Sequence, residues 1–193
     1  MRRRSIRIAL PFAAAILTVA MMAFMAGAHD TDLKDPNDVR GKLDVQRVRL
    51  RHQPGPPFWT IVTFQEWSPR DIWDRGYLMV FLDTTGGPPA DYYLLIRSTG
   101  PALDGSLWRV RGVGPDTRLA ALPVVRQSRR SASIQVGLRR LEFGAKRTFY
   151  RWWAQTIVTN DVCRRTCQDR APNGDENQLQ WRPGMSPSPS PDD

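Results

Sequence analysis

The chain is poor in the residues on which most catalysis depends. Its 193 residues include two histidines, His29 and His52, and two cysteines, Cys163 and Cys167. No His-Glu-x-x-His, Gly-x-Ser-x-Gly or glycine-rich phosphate loop occurs anywhere. A non-catalytic role is therefore expected. The acid–base sets that remain are ordinary carboxylate pairs, such as Glu66 with Asp71 or Asp74, which would suit a glycosidase if they met in space. Lysine is nearly missing: only Lys34, Lys42 and Lys146 occur, and the other basic residues are arginine. Beyond the first seven residues no basic block exceeds two or three residues. Nucleic-acid binding needs positive charge clustered on one face, so no nucleic-acid partner is expected. Past residue 28 no sustained 3.6-residue hydrophobic period appears, which argues against helices between strands and so against an α/β fold.

What is present begins with Arg2, Arg3, Arg4 and Arg7, followed by an apolar run from Ile8 to Ala28 that Pro11 alone interrupts. The run ends in Ala26-Gly27-Ala28, and polarity returns with His29-Asp30-Thr31-Asp32. A basic start, an apolar middle and small residues at −3 and −1 are the three parts of a secretory signal peptide. Cleavage after Ala28 and a secreted or extracytoplasmic protein are expected. If the site is not cut, residues 8–28 are long enough to anchor the chain in a membrane. Four of the 28 basic residues and none of the 19 acidic ones lie in 1–28, leaving 24 against 19, a net of +5 rather than +9. Outside the cytoplasm, an even cysteine count points to a disulfide between Cys163 and Cys167. The loop it closes is short, so it would pin a turn. A zinc site is the competing use, and it lacks histidine partners nearby.

The remaining chain reads as one domain over 29–182, ending in a Ser/Pro tail at 183–193 whose composition cannot bury apolar surface. Strand-like runs follow one another between Gly/Pro breaks: Leu43–His52, Phe58–Phe64, Tyr77–Asp83, Asp91–Ser98, Leu107–Val113, Leu122–Val125, Ser131–Leu138 and Tyr150–Thr159. A slip of the alternation near Gln46-Arg47 is the signature of a β-bulge. The continuous apolar run 77–83 reads as a strand covered on both faces. Leu138–Phe143 has the length of one helical turn. About eight strands with turn signals every 8–15 residues predict an all-β fold, an antiparallel jelly-roll-like β-sandwich preceded by the signal helix.

Three constellations stand out. The first is the acidic opening Asp35-Pro36-Asn37-Asp38 with Asp44, which supplies part of the six to eight oxygens calcium takes. The rest would come from the second acidic cluster, Asp169 through Asn173 to Asp175, if the two ends of the domain meet. Asp and Asn also make Asx-turns, which would need no ion. The second is the loop Asp83-Thr84-Thr85-Gly86-Gly87-Pro88-Pro89-Ala90-Asp91, whose two carboxylates either hold an ion or cap the loop through backbone hydrogen bonds. The third is tryptophan. Trp59 falls on a core-facing strand position. Trp152 and Trp153 must point to opposite faces because neighbouring side chains on a strand alternate. Trp67 and Trp73 flank a Pro/Asp/Arg loop and are the expected ligand platform, since exposed aromatic faces stack on sugars.

The opening Asp35-Pro36-Asn37-Asp38, the Leu43-Asp44-Val45 step, and the pair Tyr77–Asp83 and Asp91–Arg97 resemble secreted bacterial proteins of unassigned function. Their sandwich is similar to DOMON domains and to family 9 carbohydrate-binding modules. The resemblance implies an extracytoplasmic domain that binds a sugar or another small cell-envelope ligand, with a structural calcium. Some DOMON relatives hold haem, but this chain has no evident His/Met axial pair.

Overall fold

The computed structural model describes residues 31–52, 56–143, 150–159 and 166–173, together with the backbone of 179–181. The expected signal segment, the Ser/Pro tail, Cys163 and Asp175 lie outside the described residues. Among the described residues, no helix is long and apolar enough to cross a membrane.

Two antiparallel sheets form. The first has the order β1-β2-β3-β9-β8, from β1 (Thr31–Lys34), β2 (Val45–Arg51), β3 (Phe58–Thr63), β9 (Ser131–Gln135) and β8 (Val124–Ser128). The second has the order β11-β10-β4-β5-β6-β7, from β11 (Cys167–Ala171), β10 (Tyr150–Val158), β4 (Gly76–Asp83), β5 (Tyr92–Ser98), β6 (Leu103–Arg109) and β7 (Thr117–Leu122). A short β12 (Leu179–Trp181) also pairs with β10, next to β11 along the same edge. The all-β expectation holds at the level of two antiparallel sheets. The finer expectation, a jelly roll of about eight strands, is not shown: twelve strands occur among the described residues.

The differences have local causes. The run 122–125 is split at Pro123, which cannot donate to a ladder; β7 ends in one sheet and β8 begins in the other. β1 and β11 arise from the acidic stretches, whose composition disfavours strands. Pairing with β2 and β10 supplies what propensity does not. On the edge strand β1, Asp32 is held by Arg47 at 3.2 Å and Arg49 at 3.4 Å. The expected bulge is present: Val45 pairs with Thr63 and Arg47 with Val62, leaving Gln46 unpaired. The turn of residues 138–143 is a single 3-10 turn at Leu138–Arg140.

Alternation along β4 sends Leu78, Val80 and Leu82 inward, where they join Leu50, Trp59 and Ile61 of the first sheet in one core. Trp59 closes the gap between sheets. Its ring centroid lies 6.1 Å from Tyr150 and 6.3 Å from Trp152 of β10.

Asp104-Gly105, which the sequence presents as a break before a strand, lies inside β6. The turn falls earlier, at Gly100, whose φ of +96° favours glycine. Gly105 serves close packing instead: a Cβ there would sit 2.4 Å from Val124 Cγ2 and 2.6 Å from the Leu122 carbonyl oxygen. Gly105→Ala should therefore lower stability by about 1–3 kcal/mol, the usual cost of overpacking, seen as a lower urea midpoint at constant slope. An unchanged midpoint would show that β6 and β8 are not in such close contact.

Candidate metal centre

The two acidic ends of the domain meet where the start of β2 approaches β11. Each carboxylate has its own positioning device. Asp35 follows β1, and its N–H donates to the carbonyl of Gln46 at 3.0 Å, so the bulge fixes its place. Asp44 precedes β2, and its carbonyl accepts from Phe64 N–H at 2.9 Å. Asp169 sits mid-strand in β11 opposite Thr156, and its Oδ2 accepts the Val45 N–H at 2.5 Å. The Thr156 hydroxyl donates to the Leu43 carbonyl at 2.6 Å, a second link across the same gap. Asp38, in the loop between β1 and β2, accepts from Asn173 Nδ2 at 3.0 Å.

One carboxylate oxygen from each of Asp35, Asp38 and Asp169 lies within 4.8 Å of the others. Asp44 adds a fourth carboxylate whose charge acts on Asp35. Asp35, Asp44 and Asp169 are 7%, 2% and 3% exposed, whereas Asp38 faces solvent. Asp35 Oδ2, Asp44 Oδ1 and Asp169 Oδ1 are buried without a hydrogen-bond partner among the described residues. Leaving such oxygens unmatched is costly, more so when they are charged. Burial first, then the neighbouring Asp169, pushes the Asp35 pKa up to about 8. The same two causes push Asp44 up to about 6. Burial also raises Asp169, against the opposing hydrogen bond from Val45 N–H. The group is thus a set of oxygen donors with surplus negative charge and open coordination, with no histidine or cysteine in it. Oxygen-only donors suit a hard cation such as calcium. Asn37, also expected in this set, stands beside Asp38 at the rim of an adjoining cavity of about 820 Å³.

The other expected sites fare differently. Trp67 and Trp73 do not form a joint platform. Trp67 is buried: its Nε1 donates to Thr63 Oγ1 at 3.1 Å, and the Arg126 guanidinium covers its ring 4.4 Å from the centroid. Trp73 is 54% exposed and rests against Gly100. In the loop 83–91, the Asp91 carboxylate accepts from the N–H groups of Thr84 at 2.7 Å and Thr85 at 2.9 Å, and Asp83 accepts from Gly86 N–H. These carboxylates cap the loop. Glu66 pairs with Arg129 at 3.5 Å, while Asp71 caps a 3-10 turn and meets Lys42 at 3.1 Å, so each already serves a structural role. Cys167 opens β11, but its expected partner Cys163 lies outside the described residues.

One feature escaped the sequence. Trp153, Phe81, Tyr93 and Trp108 lie side by side across β10, β4, β5 and β6 on the outer face of the second sheet. The apolar run 77–83 carried the signal, since it reads as covered on both faces, but only the register names the partners. No family model matches the chain, and no curated protein or solved structure matches it either. Nothing in these comparisons ties the domain to DOMON domains or to family 9 modules; an all-β, two-sheet domain is what stands.

Proposed function

We propose that this chain is an exported, non-catalytic binding module whose two sheets are locked together at one end by a calcium ion. The observation that carries the reading is the convergence of Asp35, Asp38 and Asp169 within 4.8 Å, with buried carboxylate oxygens that have no hydrogen-bond partner among the described residues. A cation bound there would bridge the first sheet, through the β1–β2 segment, to β11 of the second. Carboxylates with raised pKa also serve as general acids. Here, however, Asp35, Asp44 and Asp169 are enclosed and only Asp38 reaches solvent, so a small ion fits and a polymeric substrate does not. Export is supported by the tripartite pattern of residues 1–28, and calcium is abundant enough outside the cytoplasm to fill a site of modest affinity. A sugar or cell-envelope ligand remains the expected cargo of such a module, with Trp73 as the exposed ring.

Isothermal titration of EDTA-treated protein with calcium at pH 7.5 tests the metal reading. One ion per chain is expected, with at least tenfold weaker binding in Asp38→Asn, which removes a charge from the exposed rim and leaves the buried carboxylates in place. Absence of a binding isotherm at millimolar calcium would end the proposal.

A further inference from the structure

We propose that the outer face of the second sheet carries a separate binding site for a slender organic carboxylate with an apolar body. The floor is Phe81, Tyr93 and Trp153; Trp108 extends the aromatic row but does not line the cavity. Phe81 and Trp153 are stacked at 5.2 Å with planes 9° apart, and Tyr93 and Trp108 at 6.0 Å with planes 2° apart. Phe81 and Tyr93 are neighbours at 5.7 Å but tilted by 41°. Above the floor is a cavity of about 500 Å³, walled by Pro88, Pro89, Ala90 and Val110. That volume lies in the range of small-molecule sites, roughly 300–1,000 Å³. The Pro88-Pro89 wall is held in place by the Asp83 and Asp91 caps already described, so the cavity exists before any ligand arrives.

Charge and the aromatic floor select the ligand. Phe81, Tyr93 and Trp153 offer an apolar surface to the cavity. Two arginines line the cavity. Arg151 Nε is buried without a hydrogen-bond partner among the described residues, and Arg170 lies over the Trp153 ring, 4.7 Å from its centroid. The two acids in the lining already have donors: Asp83 takes Gly86 N–H, and Asp116 takes Arg111 N–H at 3.0 Å. A planar carboxylate matches the guanidinium of Arg151, and an apolar body would lie along the rings beneath the prolines. This site shares no residue with the acidic cluster and does not depend on calcium.

The test uses the full chain and three probes: 3-phenylpropionate, its neutral amide 3-phenylpropanamide, and galacturonate. Binding is read by titration calorimetry and by tryptophan fluorescence, in calcium and in EDTA. Saturable binding of 3-phenylpropionate is expected in both conditions, with the amide at least tenfold weaker. Arg151→Gln should weaken the acid at least tenfold and leave the amide within about twofold. The acid–amide comparison on the unmodified chain stands by itself if the variant does not fold. Lack of saturable 3-phenylpropionate binding up to about 10 mM, equal affinity for acid and amide, or tighter binding of galacturonate would each overturn the proposal.

Discussion

In EDTA the protein should lose stability as pH rises from about 4 to 8, and calcium should restore it most strongly at pH 8. The sign follows from the carboxyl groups at the meeting of β2 and β11. Asp35 and Asp44 keep their protons in the folded chain up to about 8 and about 6, against an unfolded value of 3.8, and Asp169 is raised as well. Between these limits the folded state binds more protons than the unfolded one, so unfolding becomes easier as pH rises. The stabilisation is complete below about pH 4 and is lost in two stages, through about 6 for Asp44 and about 8 for Asp35. Asp71 acts in the opposite direction. Although partly desolvated, it is held below its ordinary value by Lys42 and Ser68, so its contribution falls away only in stronger acid.

Calcium requires the ionised carboxylates, so its binding displaces those protons and strengthens with pH. At a concentration 100 times its Kd, a ligand of the folded state adds about 2.7 kcal/mol. In a domain of this size that raises the Tm by about 5–10 °C. The expected melting series therefore shows a large calcium shift at pH 8 and almost none at pH 5. Asp35→Asn should melt higher than the unmodified protein in EDTA at pH 8, because the amide removes a charge the fold disfavours, and should no longer respond to calcium. A Tm that rises with pH in EDTA, or a calcium shift equal at pH 5 and pH 8, would mean that these carboxyls do not share a cation.

Trp59→Ala should be the most damaging single change in the core, costing about 3–5 kcal/mol out of the 5–15 kcal/mol that holds a typical domain together. Trp59 is fully buried and joins the sheets through its contacts with Tyr150 and Trp152. Truncation would leave a cavity at the seam, and neither sheet can close it without shifting against the other. Trp59→Phe should cost much less. The indole Nε1 has no hydrogen-bond partner among the described residues, so the smaller ring forfeits area without breaking a polar contact. Trp73→Ala, at the 54% exposed ring, should cost less than about 1 kcal/mol. Urea unfolding of the three variants orders them. Equal losses for Trp59→Ala and Trp73→Ala would contradict the burial assigned to them.

Several features were legible in the linear chain because they depend on neighbours a few residues apart. The all-β class is written in the short runs between Gly/Pro breaks. The bulge at Gln46 shows as a slip in alternation, and the opposed directions of Trp152 and Trp153 follow from the two-residue period of a strand. The acidic segments around Asp35 and Asp169 could be named as candidates from their oxygen donors alone. Their meeting could not, because 134 residues separate them. It rests on the β11–β10 pairing and on the Asp169–Val45 link between sheets. The same limit explains the tryptophans. Trp67 and Trp73 look alike in sequence, yet among the described residues Arg126 of β8 covers Trp67, while Trp73 is 54% exposed. The aromatic row is built from single residues on four strands whose order around β4 and β10 no local pattern specifies. Local pattern alone carried the all-β class, the longer strands and the residues with surplus oxygen donors. Tertiary pairing decided which carboxylates lose water together, and that shared loss of hydration is what turns scattered aspartates into a site for a cation.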